Sequence, residues 1–595
     1  MYAAHPVSVC PARRRRVRGV VTGGLWLAAM LASACGRFWQ GRPVNVVIVA
    51  IDTLRADHLG CYGYGRPTSP RIDALAARSV VFEQAISQSP WTLPAFASIL
   101  TGVVPGRHGA GEGKLCLVAP CGALDPDTVV LAEPFAAAGY RTASFVSNGF
   151  VGPEVGLGRG FTDTRVVGSG AGAVDLAVEW LARHRDEPVF LFVHLVEPHA
   201  PYSPPAEDAR PFLDPAYQGP LVASFDGRVD AQWTDADRRR VVDLYDGDVH
   251  VADRLTGEVL DALERLGIDD RTVVVVVADH GEELFDRGRV GHGHSMHDEL
   301  LHVPLLLRVP GGGPGRRVRA QVRTMDLFPT LLEATGLSVP AHLDGVSLLG
   351  VARGGEVPGQ TRFAPAEFTF FGPELRALRT AEEKLVADED HGTAVLFDLV
   401  ADPGERVDVA TERAQRVQAL RRAFRGTGRF VASGLYVLVR GGTGAHRVAV
   451  RLDAPESGLG PPELVSSEAG DTAVLDPDGQ TVRLDLLAAA ARVTGVRLTT
   501  RAGATPPLVV ESVSVDGAPI PVDHVQIGSV WVKDEMSFPL VLLSTRATVR
   551  RAVAPTPAKD GVPRVAFQFA ASDGRSTLDL APETVERLRA LGYAP

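Results

Sequence analysis

The sequence predicts an α/β fold: a mixed, mostly parallel sheet flanked by helices, followed by a β-rich C-terminal region. Three observations carry this. Apolar, largely β-branched runs such as Asn45–Ile51, Val189–His194 and Thr272–Ala278 lack a polar face, as strands covered on both sides require. Helical patterns separate these runs, the rhythm of βαβ units. Beyond about residue 430 the strands become short, alternating and turn-separated, a pattern that suits a sandwich.

In chain order, Asn45–Ile51 ends at Asp52-Thr53. Pro70–Ala77 reads as helix and Val80–Phe82 as a short strand. Ser89–Gly102 reads as a turn entering a short helix, with Pro94 in its first turn and Gly102 as its stop. Thr92 is there either a plain cap or a hydroxyl held in the positive potential of a helix start. Leu131–Ala138 reads as helix, Arg141–Val146 as strand, and Asp175–His184 as helix. Val189–His194 is a strand that delivers Glu197-Pro198-His199. Residues 203–235 are Pro-rich and read as a surface loop, and Asp237–Leu266 as a long helix. Thr272–Ala278 is the clearest strand, with Asp279-His280-Gly281-Glu282 directly behind it. Val303–Val309 and Met325–Ala334 follow as strand and helix. In the β-rich part, strands are expected at Arg447–Leu452, Thr481–Leu486, Gly495–Thr500, Leu508–Val515, Ser529–Lys533 and Arg564–Phe569. Pro582–Leu591 returns to helix.

The 595 residues suffice for two or more domains, and 45% hydrophobic with 22% charged residues is an ordinary globular balance. A net charge of -10 without a basic block in the body argues against a nucleic-acid partner. Arg13–Arg16 and Arg18 precede an apolar run to Ala34, and Leu31-Ala32-Ser33-Ala34-Cys35 resembles a bacterial lipoprotein signal over residues 1–35. Cys35 would carry the lipid, anchoring an exported body to the membrane on the periplasmic side. An uncleaved anchor or an ordinary signal are the other readings, and both also export the body. The five cysteines do not make a disulfide scaffold. Cys116 and Cys121 either pair or stay free, and Cys61 is expected to be buried.

Chemistry gathers at the strand ends. Asp52, His199 and the pair Asp279-His280 each follow a strand, and His292 and His294 lie in a Gly-rich stretch. A buried carboxylate beside an imidazole is costly unless paired, and a divalent cation pairs it. Asp52, Thr92, Asp279 and His280 then form one site for Mg, Mn, Ca or Zn. Such an ion lowers the pKa of bound water to about 7 in zinc enzymes, and an alcohol responds in the same sense. Thr92 becomes the nucleophile toward an anionic ester. His199 and His292 are candidates to steady the oxyanion and protonate the leaving group. His194 and His294 are candidate substrate contacts. A second ion on His194, Glu197, His199 and His292 is the less favoured arrangement, because carboxylates are few.

The motifs Ile51-Asp52-Thr53-Leu54-Arg55-Ala56-Asp57-His58-Leu59-Gly60-Cys61-Tyr62-Gly63-Tyr64, Thr92-x-Pro94, Leu100-Thr101-Gly102-x-x-Pro105-x-x-His108-Gly109 and Glu197-Pro198-His199-x-Pro201-Tyr202 occur in order. With Asp279-His280-Gly281-Glu282, His292-Gly293, Val303-Pro304-Leu305, Asp402-Pro403-x-Glu405 and Leu588-x-x-Leu591-Gly592-Tyr593, they resemble the sulfatase family of the alkaline phosphatase superfamily. The resemblance implies an alkaline-phosphatase-like catalytic domain over 44–425, interrupted by a β-rich domain over 430–575 before a C-terminal tail at 576–595. It also exposes departures. Family sulfatases place Cys or Ser where this chain has Thr92, oxidise it to formylglycine, and follow it with an arginine where Phe96 stands. Threonine cannot give that aldehyde, because its β-carbon bears a methyl, so no formylglycine is expected. Thr53 replaces a second aspartate, Ser147-Asn148-Gly149 a lysine-histidine pair, and His292 a lysine. An unmodified Thr is similar to the phosphodiesterase, phosphonate monoester hydrolase and phosphoglycerol transferase branches. The leading expectation is thus a metal-dependent hydrolase or transferase of phosphate or sulfate esters. Its substrate would be a small molecule or a glycan or lipid ester. The other readings are a true sulfuric ester hydrolase using unmodified Thr, and an idle envelope lipoprotein that binds glycan or polymer.

Overall fold

The structure, a computed structural model, describes residues 43–111, 123–227, 233–340, 343–356, 363–388 and 393–425, then a series of β-segments between 432 and 571. Cys35, the Cys116–Cys121 pair and the expected helix Pro582–Leu591 lie outside the described residues.

The main sheet contains β1 (Asn45–Ile51), β2 (Val80–Ile86), β3 (Arg141–Val146), β4 (Asp163–Val166), β5 (Val189–Leu195), β6 (Thr272–Ala278), β7 (Leu305–Arg308) and β8 (Arg316–Arg323), in the order β8-β2-β7-β6-β1-β5-β3-β4. The block β6-β1-β5-β3-β4 is parallel throughout. Only β7 and the short segment His302–Val303 run against their neighbours. Every residue of β1, β5 and β6 is buried, which explains why those strands read as unbroken apolar runs.

The expected strand Val303–Val309 is two segments, split at Pro304, whose missing amide hydrogen breaks the ladder. Strand β8 escaped the sequence reading because Arg316, Arg317, Arg319 and Arg323 mask its alternation. It is an edge strand, where such charges deter pairing with another chain.

Four helices matter for the site: α1 (Thr92–Thr101), α2 (Gly170–His184), α3 (Asp235–Arg265) and α4 (Leu327–Ala334). Helix α3 starts two residues before the expected Asp237, because Thr234 is its N-cap and Asp237, the third helical residue, closes a capping box with it. Helix α2 begins at Gly170, its cap Ser169 accepting from the amide of Gly172. Two glycines hid that start. Cys61, expected to be buried, is a free and only partly buried thiol.

A four-stranded antiparallel sheet follows (Ala364–Ala366, Leu375–Arg379, Glu383–Asp388, Thr393–Asp398), then helix Ala414–Arg425. Between 432 and 571 the strands form a six-stranded and a seven-stranded sheet, antiparallel except where Val525–Ile527 pairs with Arg564–Ala571.

Candidate active site

Strand register sets the neighbourhood. Ile51 lies opposite Ala278 on one side and Leu195 on the other. The next residues, Asp52 and Asp279, therefore leave adjacent parallel strands about 5 Å apart. One ligand atom each from Asp52, Asp279 and His280 lie within 4.8 Å of one another, and all three residues are fully buried. Helix α1 supplies Thr92, whose Oγ1 is 3.3 Å from His280 Nε2. Trp91 holds the cap position and Thr92 is the first helical residue, so Thr92 is not the plain cap.

The acids are asymmetric. Asp52 Oδ2 accepts from Asn148 Nδ2 at 3.1 Å and faces His194 Nε2 at 3.4 Å, while Oδ1 has no hydrogen-bond partner. Asp279 Oδ1 accepts from the amides of Thr53 (3.3 Å) and His280 (2.8 Å), while Oδ2 has none. His280 Nδ1 lies 2.9 Å from the carbonyl oxygen of Gly281. A carbonyl only accepts, so Nδ1 carries the hydrogen and Nε2 turns a lone pair toward the two orphaned oxygens. Thr53 stands between the acids with φ +55, strained for a β-branched residue, and its buried Oγ1 is also unpartnered.

The electrostatics follow from crowding. Burial, with the charge of Asp52 added, pushes the Asp279 carboxyl well above its usual value. Burial acts on Asp52 in the same sense, but the imidazoles around it, His194 first and then His199 and His280, hold it below the usual range. Burial, and then His292, drive His280 well below an ordinary imidazole, so it is neutral. Lone-pair donors facing one another in a dry site fit a divalent cation.

His199 and His292 reach this group as expected. The His292 ring centroid is 4.8 Å from His199 and 4.5 Å from His280, and His292 Nδ1 is 3.0 Å from Glu282 Oε1. Burial lowers both imidazoles, His292 to about 4, and raises Glu282 to about 8.

Two expected substrate contacts face elsewhere. His194 accepts from the Ser147 amide at Nδ1 (3.4 Å) and turns Nε2 to Asp52, so it stands behind that carboxylate. His294 spends both ring nitrogens inside the protein, Nδ1 on the His292 carbonyl (3.2 Å) and Nε2 on Glu283 (2.8 Å). That makes it a brace. Sequence reasoning missed Asn148 and Glu282, although each sits two or four residues beyond a buried strand, where the same logic had found Asp52 and Asp279.

A backbone clasp assembles the mouth. Gly293 donates its amide to the Pro90 carbonyl (2.9 Å), and its own carbonyl accepts from Phe370 (2.7 Å) and Phe371 (2.9 Å). Gly293 has φ +78, and a Cβ there would meet that of Phe370 at 3.0 Å.

The Sulfatase family model matches residues 44–337, and that of the N-sulphoglucosamine sulphohydrolase C-terminal region matches 288–424. The chain belongs to the sulfatase family. It is a sulfatase-like ester hydrolase. Delta 4,5-hexuronate-2-O-sulfatase of Bacteroides thetaiotaomicron is 24% identical over 431 residues, covering 65% of this chain and 88% of that protein. Arylsulfatase K of Xenopus laevis is 26% identical over 448 residues, covering 64% and 82%. Among solved structures, the phosphonate monoester hydrolase of Agrobacterium radiobacter shares the fold with a TM-score of 0.54 at 24% identity, over 64% of this chain and 96% of that one. A protein solved with its substrate D-glucosamine-2-N,6-O-disulfate has a TM-score of 0.56 at 18% identity, over 65% and 98%. The Phe96 ring, four residues after Thr92, packs edge-on against Phe192 (5.9 Å) and His194 (5.1 Å).

Proposed function

We propose that this sulfatase-family chain is a metal-dependent ester hydrolase in which Thr92 is the nucleophile. The observation that carries the reading is the set of lone-pair donors: Asp52 Oδ1 and Asp279 Oδ2, buried without hydrogen-bond partners, and His280 Nε2, to which the Thr92 hydroxyl donates at 3.3 Å. These residues would hold one divalent cation, which supplies the positive charge that makes a neighbouring hydroxyl more acidic. The chain's own groups do the rest. Asn148 and His194 orient Asp52, helix α1 aims Thr92, and His199 and His292 stand where an oxyanion and a leaving group need donors.

The substrate we favour carries a single negative charge at the reacting group: a sulfate ester, or a phosphate diester. Phe96, the stretch Ser147-Asn148-Gly149 and His292 stand where the family brings an arginine, a lysine-histidine pair and a lysine, and the titratable groups that lower Asp52 are all imidazoles. A dianionic phosphate monoester meets too little fixed positive charge. The names of the relatives support a sulfated sugar as the alcohol part. A lipid anchor at Cys35 on the periplasmic face fits an enzyme that meets such polymers outside the cytoplasm.

The test is turnover of 4-nitrophenyl sulfate, bis(4-nitrophenyl) phosphate and 4-nitrophenyl phosphate with Mg, Mn, Ca or Zn. Elemental analysis and intact mass, read at Thr92 and Cys35, complete it. Stoichiometric metal and loss of turnover in Thr92→Ala are expected. Full activity in that variant, or no bound metal, removes the reading.

A further inference from the structure

The loop of residues 367–372 is joined to both of the segments that frame the mouth. Toward the segment leading to Thr92, Glu367 donates its amide to the Gln88 carbonyl (2.9 Å), and the Ser89 hydroxyl donates to the Phe368 carbonyl (3.2 Å). The Phe370 ring meets the Trp91 ring at 4.8 Å. Toward the His292 segment, the amides of Phe370 and Phe371 share the Gly293 carbonyl. Thr369 closes the loop on itself, its hydroxyl donating to the Pro373 carbonyl (2.5 Å) and accepting from the Leu375 amide (3.2 Å). Phe368 holds φ +66, a left-handed conformation that is unfavourable for a bulky residue and that gathers at ligand clamps.

All of this ends in one side chain that water reaches. Phe368 and Phe370 are buried, whereas Phe371 is 46% exposed. Among the described residues it is the one exposed aromatic side chain. The other large apolar side chains left exposed there are valines, which need no explanation when scattered singly. The Phe371 ring is also held in place. It meets Phe370 at right angles at 4.7 Å, and its Cδ2 lies 3.6 Å from the point where a β-carbon on Gly293 would sit, as does the Trp91 Cβ. Gly293 follows His292, and Trp91 precedes Thr92. The ring therefore stands where the two segments carrying the proposed nucleophile and proton donor meet. An ester whose anionic group reaches the buried Thr92 leaves its alcohol part on this outer side.

We propose that Phe371 is a specificity-determining residue whose ring stacks on the face of a pyranose carrying the ester, a proposal that rests on the hydrolase reading above. A pyranose presents a face of C–H groups with slight positive charge, and the face of an aromatic ring is slightly negative. A flat, rigid side chain already fixed by its neighbours loses little freedom on contact. The contact involves no charge, so it selects the shape of the alcohol part and leaves the anion to the groups around Thr92. Phe371 touches no reacting atom, so it acts on binding in the ground state and the transition state alike.

The experiment compares Phe371→Ala, Phe371→Leu and Phe371→Trp in the metal-loaded full chain. The substrates are sulfated hexopyranosides differing in ester position, and ethyl sulfate, which has no ring. Phe371→Ala should raise KM on the preferred hexopyranoside about tenfold, and Phe371→Leu nearly as much, because leucine keeps apolar area without an aromatic face. Phe371→Trp should stay within about twofold of wild type, and so should ethyl sulfate KM and inhibition by inorganic sulfate in all three variants. Calorimetric titration of the hexopyranosides into Thr92→Ala, and into Thr92→Ala with Phe371→Ala, should show the same change in Kd without turnover. Equal changes on both kinds of ester, Phe371→Leu matching wild type, or no hexopyranoside bound by Thr92→Ala overturns the stacking role and leaves the hydrolase reading intact. An unchanged Kd with a lowered melting temperature places the ring against protein and overturns it as well. A wild type that binds hexopyranosides through Phe371 but turns over no ester overturns the hydrolase reading alone.

Discussion

Among the described residues, two clusters of carboxylates and imidazoles come close enough to hold an ion, and they are built to opposite ends. At the strand ends, Asp52, Asp279 and His280 face one another with two oxygens unpartnered. Beside the four-stranded sheet, His297, Glu299 and Glu405 also come close enough to hold an ion. There the protein has supplied its own cation: the fully buried Lys384 reaches Asp298 at 2.6 Å and pairs with Glu405, and Arg379 holds Asp298 at 2.9 Å. Proximity of acids is thus common to both, and the distinguishing feature is whether the chain completes the pairing itself. The completed cluster is a brace, and the incomplete one is the candidate site.

The comparison breaks most visibly at the strand ends. Asp279→Asn should remove bound metal and lower turnover by about 10⁴-fold, some 5 kcal/mol of transition-state free energy. Metal-stripped, the same variant should melt no lower than stripped wild type, since a repelled carboxylate has been removed. Kinetics, elemental analysis and calorimetry check all three. At the brace the signs reverse. Lys384→Met should cost about 3 kcal/mol of stability by denaturant unfolding, because two carboxylates lose their partner. Turnover per folded molecule should not change, and a destabilisation under about 1 kcal/mol would mean the brace is not one.

The smallest effect is a pH dependence. Burial works against ionisation of Asp298 and Glu405, but Lys384 holds both below the ordinary carboxylate range. Groups lowered in the folded state contribute stability above their unfolded pKa, near 4, and lose it as pH falls through the folded value. The wild type should therefore weaken from about pH 5 downward more steeply than Lys384→Met. Parallel acid curves would show that the lysine does not set these carboxyls.

Much of this was legible in the chain because strands announce themselves in apolar runs and the residue behind each run falls at one edge of the sheet. Asp52, Asp279 and His280 came from that rule, and Thr92 from the turn that opens a helix. What stayed hidden involves partners chosen across strands. Nothing in the order of residues shows that Asn148 reaches Asp52, that His194 stands behind it, or that Glu282 rather than substrate engages His292. His194 and His294 were misplaced for that reason: an imidazole has two nitrogens, and its role depends on what each one meets. The edge strand Arg316–Arg323 was hidden by the charges that protect it.

The register of β1 against β6 has one more consequence. Val273–Val277 carry no chemistry, but their number does. A strand alternates its faces, so deleting one valine would turn Asp279 to the opposite side of the sheet while leaving an equally apolar core. The run acts as a gauge whose length, more than its composition, keeps the two acids level.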